Sequence, residues 1–341
     1  MAKYNTNMEI FLKDQEFFTS KRYSYSQVKK MTNSFETKLG EGGFGSVYKG
    51  VLSNNNLVAV KVLSEVKGNG EDFMNEVASV GRTSHVNIVR LVGFCLDGNR
   101  RALIYEFMPN GSLERFIYGH SSSDSNQLGW EKLYQIAVGI AQGLEYLHTG
   151  CNTRILHLDI KPHNILLDQN MCPKISDFGL SKLFPDRSSM MISMSRMRGT
   201  PGYIAPELFS MNFGQVSHKS DVYSYGMVVL EMVGGRKNMG VEADHTSEIY
   251  FPHLIYKKLD VDEEQLGLIH EITSTEEREM ARKMIIVGLW CIQTNPLKRP
   301  SITKVLEMLE GDLLSLEIPP KPYWYSPSGS VNSLSTDEFH H

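Results

Sequence analysis

One stretch of the sequence, residues 157–179, limits the folds open to this chain more than any other. It reads His-Leu-Asp-Ile-Lys-Pro-His-Asn-Ile-Leu-Leu-Asp and, after a short polar gap, Lys-Ile-Ser-Asp-Phe-Gly. Two short apolar runs, residues 165–167 and 173–175, are separated by turn-forming residues, a pattern that predicts a β-hairpin. Such a hairpin would hold the polar side chains at its two ends on one rigid support.

Four of those polar side chains suit a magnesium-assisted reaction. Asp159 can accept a proton from an attacking hydroxyl, and Lys161, two residues further on, can neutralise a nearby phosphate. Asn164 and Asp177 supply two oxygen ligands for Mg²⁺, a hard cation that keeps most of its own waters. An acidic turn beside a core strand would explain Asp159 or Asp177 alone, but it does not explain their joint spacing.

The composition is that of a soluble globular protein. The 341-residue chain is 41% apolar and 22% charged, and its formal charge of −4 argues against broad binding to nucleic acid or anionic membranes. Its four cysteines are far apart and lack CxxC spacing, which favours a reduced intracellular chain over a disulfide framework. No apolar run approaches the roughly 18 residues of a membrane helix, so we expect no membrane span.

A glycine-rich stretch, residues 39–50, reads Leu-Gly-Glu-Gly-Gly-Phe-Gly-Ser-Val-Tyr-Lys-Gly. The GxGxxG pattern also opens dinucleotide-binding folds, but those require a helix directly after the glycines. Here a strand-like run follows, then a turn at residues 53–56 and a second strand at residues 57–63. This order favours a flexible hairpin folded over phosphates, whose oxygens the N–H groups of glycines can approach closely.

Lys61 is the one charged residue in the predicted strand at residues 57–63. Burying an ammonium group costs several kcal/mol unless it is paired. Strand alternation puts Lys61 on the same face as Ala59, and Glu76, in the helix predicted over residues 70–80, is its expected partner. The alternative is a lysine and a glutamate that are both in water, and the neighbouring motifs favour the pair.

Together these motifs resemble those of the eukaryotic protein kinases. Residues 157–164 resemble the catalytic-loop pattern H-R-D-x-x-x-x-N, and residues 177–179 resemble the magnesium-binding turn D-F-G. Residues 40–50, Gly-Thr-Pro-Gly-Tyr-Ile-Ala-Pro-Glu at 199–207 and Asp-Val-Tyr-Ser-Tyr-Gly at 221–226 are most similar to plant receptor-like kinases. That group is related to Pelle and the interleukin-receptor-associated kinases, and the chain looks most like its rust-resistance-kinase type. One position departs from the pattern, since Leu158 stands where the family usually has arginine.

The resemblance implies an α+β fold, the bilobal protein kinase fold, with a small β-rich N-lobe and a larger, mostly α-helical C-lobe. We expect a juxtamembrane-like segment at residues 1–32 and a kinase domain at residues 33–312, with the lobes divided between 108 and 109. Residues 313–341 are Pro/Ser-rich and predict a disordered tail. Apolar residues at 25, 28, 31 and 35 predict a short amphipathic segment packed on the first lobe.

The resemblance also implies the residues of the ATP site and of the catalytic site. The expected ATP-binding residues are Leu39, Gly40, Glu41, Gly42, Gly43, Phe44, Gly45, Val47, Ala59, Lys61, Glu76, Tyr105, Glu106, Met108, Leu166 and Asp177. Within that set, Tyr105 would be the gatekeeper, and the backbones of Glu106 and Met108 would pair with adenine. The expected catalytic residues are Asp159, Lys161 and Asn164, and the expected metal ligands are Asn164 and Asp177.

Residues around the site have implied roles as well. Asp221 would anchor the backbone of the catalytic loop, and Arg299 would form a buried ion pair with Glu207. Thr200 and Tyr203 would receive the substrate residue that follows the acceptor. Residues 177–207 match one activation segment in length, although the methionines within it would also suit a partner-binding surface.

The implied activity is that of an ATP-dependent serine/threonine protein kinase that uses Mg²⁺. Lys161 and the motif at residues 199–203 match serine/threonine rather than tyrosine kinases. The implied partners are proteins with Ser or Thr acceptors and a co-receptor or kinase partner, and no nucleic acid. The chain as given reads as cytoplasmic, as the cytoplasmic part of a plasma-membrane receptor kinase would. The alternative is a catalytically weak pseudokinase that acts as a signalling scaffold, but no functional lysine, aspartate or asparagine is missing from the sequence.

Overall fold

A β-rich lobe followed by a larger, mostly helical lobe makes up the described chain, as the sequence predicts. The computed structural model describes residues 20–43, 45–64, 71–118, 128–184, 199–235, 255–256, 272 and 274–321. Within those ranges, no helix combines the length and the apolar character that crossing a membrane requires. Residues 1–19 of the predicted N-terminal segment and 322–341 of the predicted tail lie outside the described residues.

The first lobe is built on a six-stranded sheet with the strand order β1-β5-β6-β4-β3-β2. Its strands are β1 (Lys21–Arg22), β2 (Lys38–Gly42), β3 (Gly45–Val51), β4 (Leu57–Leu63), β5 (Leu91–Asp97) and β6 (Arg100–Glu106). β1 runs parallel to β5, and the other neighbouring strands are antiparallel. Lys61 pairs with Val47 on one side and Leu103 on the other, so the lysine lies on an interior strand. A strand, β3, follows the glycines, as the sequence predicts.

Two helices cover opposite faces of this sheet. Helix α1 (Tyr25–Met31) begins in a capping box made by Ser24 and Gln27, and it buries Val28 in a cluster that includes Val58 and Val60. Helix α2 (Glu71–Val80) contributes to the second cluster, which contains Leu103 and extends into the C-lobe. Because strand residues alternate between faces, α2 lies on the same side of the sheet as Lys61.

The second lobe is a helical assembly around α6. Its helices are α3 (Glu114–Ile117), α4 (Trp130–Glu145), α5 (Pro206–Phe209), α6 (His218–Gly234), α7 (Thr275–Cys291) and α8 (Ile302–Glu310). A wider π-helical turn, Tyr146–Gly150, continues α4 toward the expected catalytic loop. Nearly every side chain of α6 is buried. A Cβ atom on Gly226 would lie 2.9 Å from the carbonyl oxygen of Gly288 on α7, so the glycine permits the two helices to touch.

Two small strand pairs flank the segments that contain the expected catalytic residues. The hairpin predicted from residues 165–175 is confirmed, with β8 (Ile165–Leu167) antiparallel to β9 (Pro173–Ile175). Strands β7 (Arg154–Leu156) and β10 (Lys182–Phe184) flank this hairpin in sequence and pair with each other antiparallel. Asp168 closes the hairpin turn, because its Oδ1 accepts the N–H groups of Asn170 and Cys172 at 2.8 and 2.9 Å.

The first part of the predicted tail is held on α7. Trp290 Nε1 donates to the carbonyl of Glu317 at 2.8 Å, and Gln293 Nε2 donates to the carbonyl of Pro320 at 3.1 Å. Pro319 between them is buried. Residues 317 and 320 of the predicted tail therefore contact the C-lobe.

Candidate active site

Lys61 on β4 lies between two carboxylates from other elements. Its Nζ is 2.9 Å from Oε2 of Glu76 on α2 and 2.6 Å from Oδ1 of Asp177 after β9. Burial lowers the pKa of Lys61, but the charges of Asp177 and Glu76 outweigh it and hold that pKa above its ordinary value. A single ammonium group thus connects the sheet, helix α2 and the turn that begins the next segment.

Tyr105 on β6 binds the other oxygen of Glu76. Its phenolic hydroxyl donates to Oε1 of Glu76, and its backbone pairs with Ala59, two residues before Lys61. Burial and the Glu76 carboxylate raise the pKa of Tyr105 well above its ordinary value, so the hydroxyl keeps its proton and remains a donor. Sequence reasoning placed Tyr105 at the ATP site but missed this bond, since no sequence pattern signals a contact across 29 positions.

Asp159 is held by three side chains. Its Oδ2 accepts from Lys161 Nζ at 2.8 Å and from Asn164 Nδ2 at 3.0 Å, and its Oδ1 accepts from Thr200 Oγ1 at 2.6 Å. The Thr200 hydroxyl also accepts from Lys161 Nζ at 2.8 Å. Since the hydroxyl donates to the aspartate and accepts from the lysine, the three groups form a closed ring. A carboxylate fixed in this way is positioned to accept a proton from a nearby alcohol.

Asp221 on α6 anchors the backbone of the same loop. Its Oδ2 accepts from the N–H of His157 at 2.9 Å, and its Oδ1 accepts from the N–H of Leu158 at 2.7 Å. His148, which the sequence did not single out, adds a contact from its Nε2 to the Asp221 carboxylate at 2.9 Å. Burial raises the pKa of Asp221, but these partners outweigh it and leave the pKa below its ordinary value.

Leu158 takes a backbone conformation that L residues rarely adopt. Its φ is 63°, and such left-handed positions cost of order 1–3 kcal/mol and persist only where the surroundings hold them. The hydrogen bond from its N–H to Asp221 holds it here. The side chain is only 9% exposed, and it brings no charge to the neighbouring Asp159.

Asn164 and Asp177 lie at the two ends of the β8–β9 hairpin, and hydrogen bonds join the backbone at these ends. The N–H and the hydroxyl of Ser176 both donate to the carbonyl of Asn164 at 2.9 Å. Asn164 uses its Nδ2 for Asp159, and Asp177 uses its Oδ1 for Lys61, so Asn164 Oδ1 and Asp177 Oδ2 are the oxygens that a cation would use. One amide and one carboxylate oxygen suit Mg²⁺ better than a transition metal. No group of three or more His, Cys, Asp and Glu side chains forms a metal site within the described ranges.

His157 connects the loop that contains Asp159 to the turn that contains Asp177. Its Nδ1 accepts the N–H of Asp159 at 3.2 Å, and its Nε2 lies 3.0 Å from the carbonyl of Ser176. Burial lowers the pKa of His157, which favours a neutral ring with its proton on Nε2. The ring also packs edge-on against Phe178, with the centroids 4.8 Å apart. Asp159 and the turn that holds Asp177 therefore both contact the His157 ring.

The remaining expected ATP-binding residues belong to several elements. Those on β2, β3 and the turn between them are Leu39, Gly40, Glu41, Gly42, Gly43, Gly45 and Val47, and Phe44 lies outside the described residues. Leu166 lies on β8, and Met108 follows β6 and is buried. The Glu106 carboxylate accepts the N–H of Arg90 at 2.9 Å and pairs with Lys174 at 3.3 Å, and the N–H of Glu106 donates to the carbonyl of Arg90 at 3.2 Å.

A buried ion pair fixes the end of the segment at residues 199–207. Arg299 Nη1 and Nη2 lie 2.7 and 2.8 Å from the two oxygens of Glu207, and both side chains are fully buried. The other guanidinium protons go to the backbone carbonyls of Gln293, Lys219 and Thr294. Every donor of the arginine is used, which is the condition under which a buried pair is tolerated.

Comparisons with known proteins agree with this geometry. Residues 34–309 match the family described as "Protein kinase domain". The chain is 58% identical to the PR5-like receptor kinase of Arabidopsis thaliana. The alignment of 320 residues covers 93% of this chain and 47% of that protein. It is 55% identical to the Rust resistance kinase Lr10 of Triticum aestivum. The alignment of 323 residues covers 94% of this chain and 50% of that protein. The chain spans about half the length of these curated relatives.

Proposed function

The chain belongs to the protein kinase family, and we propose from this premise that it is an active serine/threonine kinase that uses ATP and Mg²⁺. The observation that carries the proposal is Lys61, whose Nζ contacts Glu76 at 2.9 Å and Asp177 at 2.6 Å. A lysine held in this way between a helix and a metal-binding turn is the arrangement that kinases require before they transfer phosphate. A scaffold that had lost catalysis would have no need to keep it.

The reaction needs positioning and charge neutralisation more than covalent chemistry. ATP with Mg²⁺ supplies the transferable phosphoryl group and offsets its charge. Lys61 would bind phosphate oxygens with Glu76 holding its ammonium group in place. Asn164 Oδ1 and Asp177 Oδ2 would hold the cation. The glycines of β2 and β3 would present their N–H groups to the phosphates.

Asp159 would accept the proton of the attacking hydroxyl. Its carboxylate is 3% exposed as a side chain, so a substrate hydroxyl that reached it would meet the base with little water around it. Lys161 would offset charge on the moving phosphoryl group. In this role Lys161 and Asp159 act together, which agrees with their separation of 2.8 Å.

Specificity for serine and threonine is supported by Thr200. Its hydroxyl lies 2.6 Å from Asp159 Oδ1 and 2.8 Å from Lys161 Nζ, so the peptide-binding segment is attached directly to the base. Tyr203 in the same segment donates to the buried Glu231 on α6 at 2.6 Å, which fixes the segment from the other side. The substrates would be proteins with Ser or Thr acceptors.

The names of the relatives support a setting in receptor signalling. Because the chain spans about half the length of proteins named as receptor and rust-resistance kinases, we propose that it corresponds to the cytoplasmic part of a plasma-membrane receptor kinase in plant defence-like signalling. A co-receptor or a second kinase would be its partner.

Purified protein incubated with labelled ATP, Mg²⁺ and a general protein substrate tests the proposal. Transfer should appear on serine and threonine after acid hydrolysis, and Asp159→Asn should abolish it while nucleotide binding remains. Bound nucleotide without transfer in the unmodified chain would favour the scaffold. Label on tyrosine alone would overturn the proposed specificity.

A further inference from the structure

Two serine hydroxyls join helix α2 to the segment after the metal-binding turn. Ser79 Oγ on α2 lies 2.6 Å from Ser181 Oγ, and both residues are fully buried. Ser79 is one helical turn after Glu76, and Ser181 is four residues after Asp177. The contact therefore connects the two elements whose carboxylates hold Lys61.

The direction of this hydrogen bond follows from counting protons. The Ser181 hydroxyl donates its one proton to the carbonyl of Phe178 at 2.7 Å. Ser181 must therefore accept at the second contact, and Ser79 must donate. The chain of donors runs from Ser79 to Ser181 and from Ser181 to the backbone of the turn.

A second bond from α2 reaches the same turn. Asn75 Nδ2 donates to the carbonyl of Gly179 at 3.3 Å. Asn75 and Ser79 lie on either side of Glu76 along the helix, so the glutamate is flanked by links to the turn that begins at Asp177. All of these groups lie before residue 185, and none belongs to the longer loop that follows.

We propose that the Ser79–Ser181 hydroxyl pair is a positioning device, which holds α2 in the register where Glu76 and Asp177 both reach Lys61. This inference rests on the proposed kinase activity. Leu158 brings no cation to which a phosphate on the activation segment could bind. The buried serine pair would therefore align α2 in place of that phosphate. The pair acts through Lys61 and Glu76 and does not touch substrate.

Removal of each hydroxyl should have unequal effects, because donor and acceptor are not equivalent. Ser79→Ala removes one bond and leaves Ser181 still bonded to Phe178, so kcat should fall about threefold. Ser181→Ala removes two bonds and leaves a buried donor on Ser79, so kcat should fall about thirtyfold. The double variant should be no slower than Ser181→Ala, since it removes the stranded donor. KM for ATP should change less than kcat in all three.

Tyr225→Phe is a matched control. Tyr225 is fully buried, and its hydroxyl donates to the carbonyl of Ala137 on α4 at 3.0 Å, away from α2. It should lower the melting temperature as the serine variants do and leave kcat unchanged. If Tyr225→Phe lowered kcat equally at equal loss of stability, or if the two serine effects multiplied to about a hundredfold in the double variant, the proposal would be overturned.

Hydrogen–deuterium exchange gives a readout that needs no turnover. Amides of α2 should exchange faster in Ser181→Ala than in the unmodified protein, and Tyr225→Phe should leave them unchanged. Unmodified protein that transferred no phosphate would contradict the proposed function alone. Unchanged exchange of α2 in Ser181→Ala would contradict the positioning role, whatever the activity.

Discussion

The hydroxyl of Tyr105 donates to Oε1 of Glu76, while Lys61 Nζ lies 2.9 Å from Oε2 of the same carboxylate. Both oxygens of Glu76 are therefore held by groups on the sheet, and α2 is fixed to β4 and β6 through one side chain. A helix that carries a buried carboxylate can remain in this place only while that carboxylate has partners.

Tyr105→Phe should lower kcat/KM roughly tenfold, since it removes a hydrogen bond to a charged group and leaves the ring in place. Steady-state kinetics with varied ATP would measure the change. Tyr134→Phe is the control, because that hydroxyl bonds the carbonyl of Leu309 in the C-lobe at 2.5 Å. Equal activities of the unmodified protein and Tyr105→Phe would show that the bond does not position Glu76.

Glu76→Gln should lower kcat/KM roughly a hundredfold, about 2.7 kcal/mol of barrier, with little change in folding. The amide keeps the shape of the side chain but loses the charge that balances Lys61. Asp177 would then hold the ammonium alone at 2.6 Å and draw it away from the phosphates. Kinetics and a melting curve on the same preparation would separate the two effects. A loss of activity that followed a loss of folded protein would contradict this account.

Arg299→Ala should destabilise the protein by about 3–5 kcal/mol, because Glu207 would remain as a buried charge without its partner. Urea unfolding would measure the change. Arg299→Lys should recover part of the stability but not all of it, since one ammonium group cannot replace the two parallel contacts at 2.7 and 2.8 Å. Equal stability of Arg299→Ala and the unmodified protein would show that the pair contributes nothing.

His218 should make the folded state less stable as the pH falls. Burial, together with the charges of His148 and Arg154, lowers the pKa of His218 to about 4 from its usual 6.5. Between these values the unfolded chain binds the proton and the folded chain does not, so the free energy of unfolding decreases as the pH falls from about 6.5 toward 4. The contribution of His218 is fully present above that window.

His218→Gln should reduce this slope, as measured by urea unfolding at several pH values. Some slope should remain, because burial lowers the pKa of His157 in the same direction. The charge of Lys219 also lowers the pKa of His218, so a Lys219→Met variant would measure that contribution. Identical slopes in the unmodified protein and His218→Gln would contradict the assignment.

Phosphorylation of the activation segment should have little influence on activity, because Leu158 replaces the usual cation. Ser188, Ser189, Ser193 and Ser195 lie outside the described residues, and each alanine variant should keep kcat within about tenfold of the unmodified protein. A loss of roughly a thousandfold at any of them, about 4 kcal/mol of barrier, would refute this. Thr200→Ala is a separate case, since its hydroxyl contacts Asp159 and Lys161 directly.

The family and the α+β architecture were correctly predicted from the sequence because both depend on short local patterns. Glycines before a strand, a lone lysine in an apolar strand and two acidic positions around a hairpin are each readable within about twenty residues. The predicted fold and the resemblance are confirmed by the family match over residues 34–309. The contacts of the tail could not be predicted, because a Pro-rich composition does not reveal that Trp290 and Gln293 donate to its backbone.

The sequence alone therefore determined which residues make up the motifs, including the leucine at position 158 where the family usually has arginine. The contacts of Tyr105 with Glu76, of Thr200 with Asp159, of His148 with Asp221 and of Ser79 with Ser181 were decided only by the tertiary structure. A hydroxyl or an imidazole has no characteristic spacing from its partner when the two lie on different elements. Its hydrogen bond forms only once packing has brought donor and acceptor within about 3 Å and excluded the water that would otherwise bind both groups.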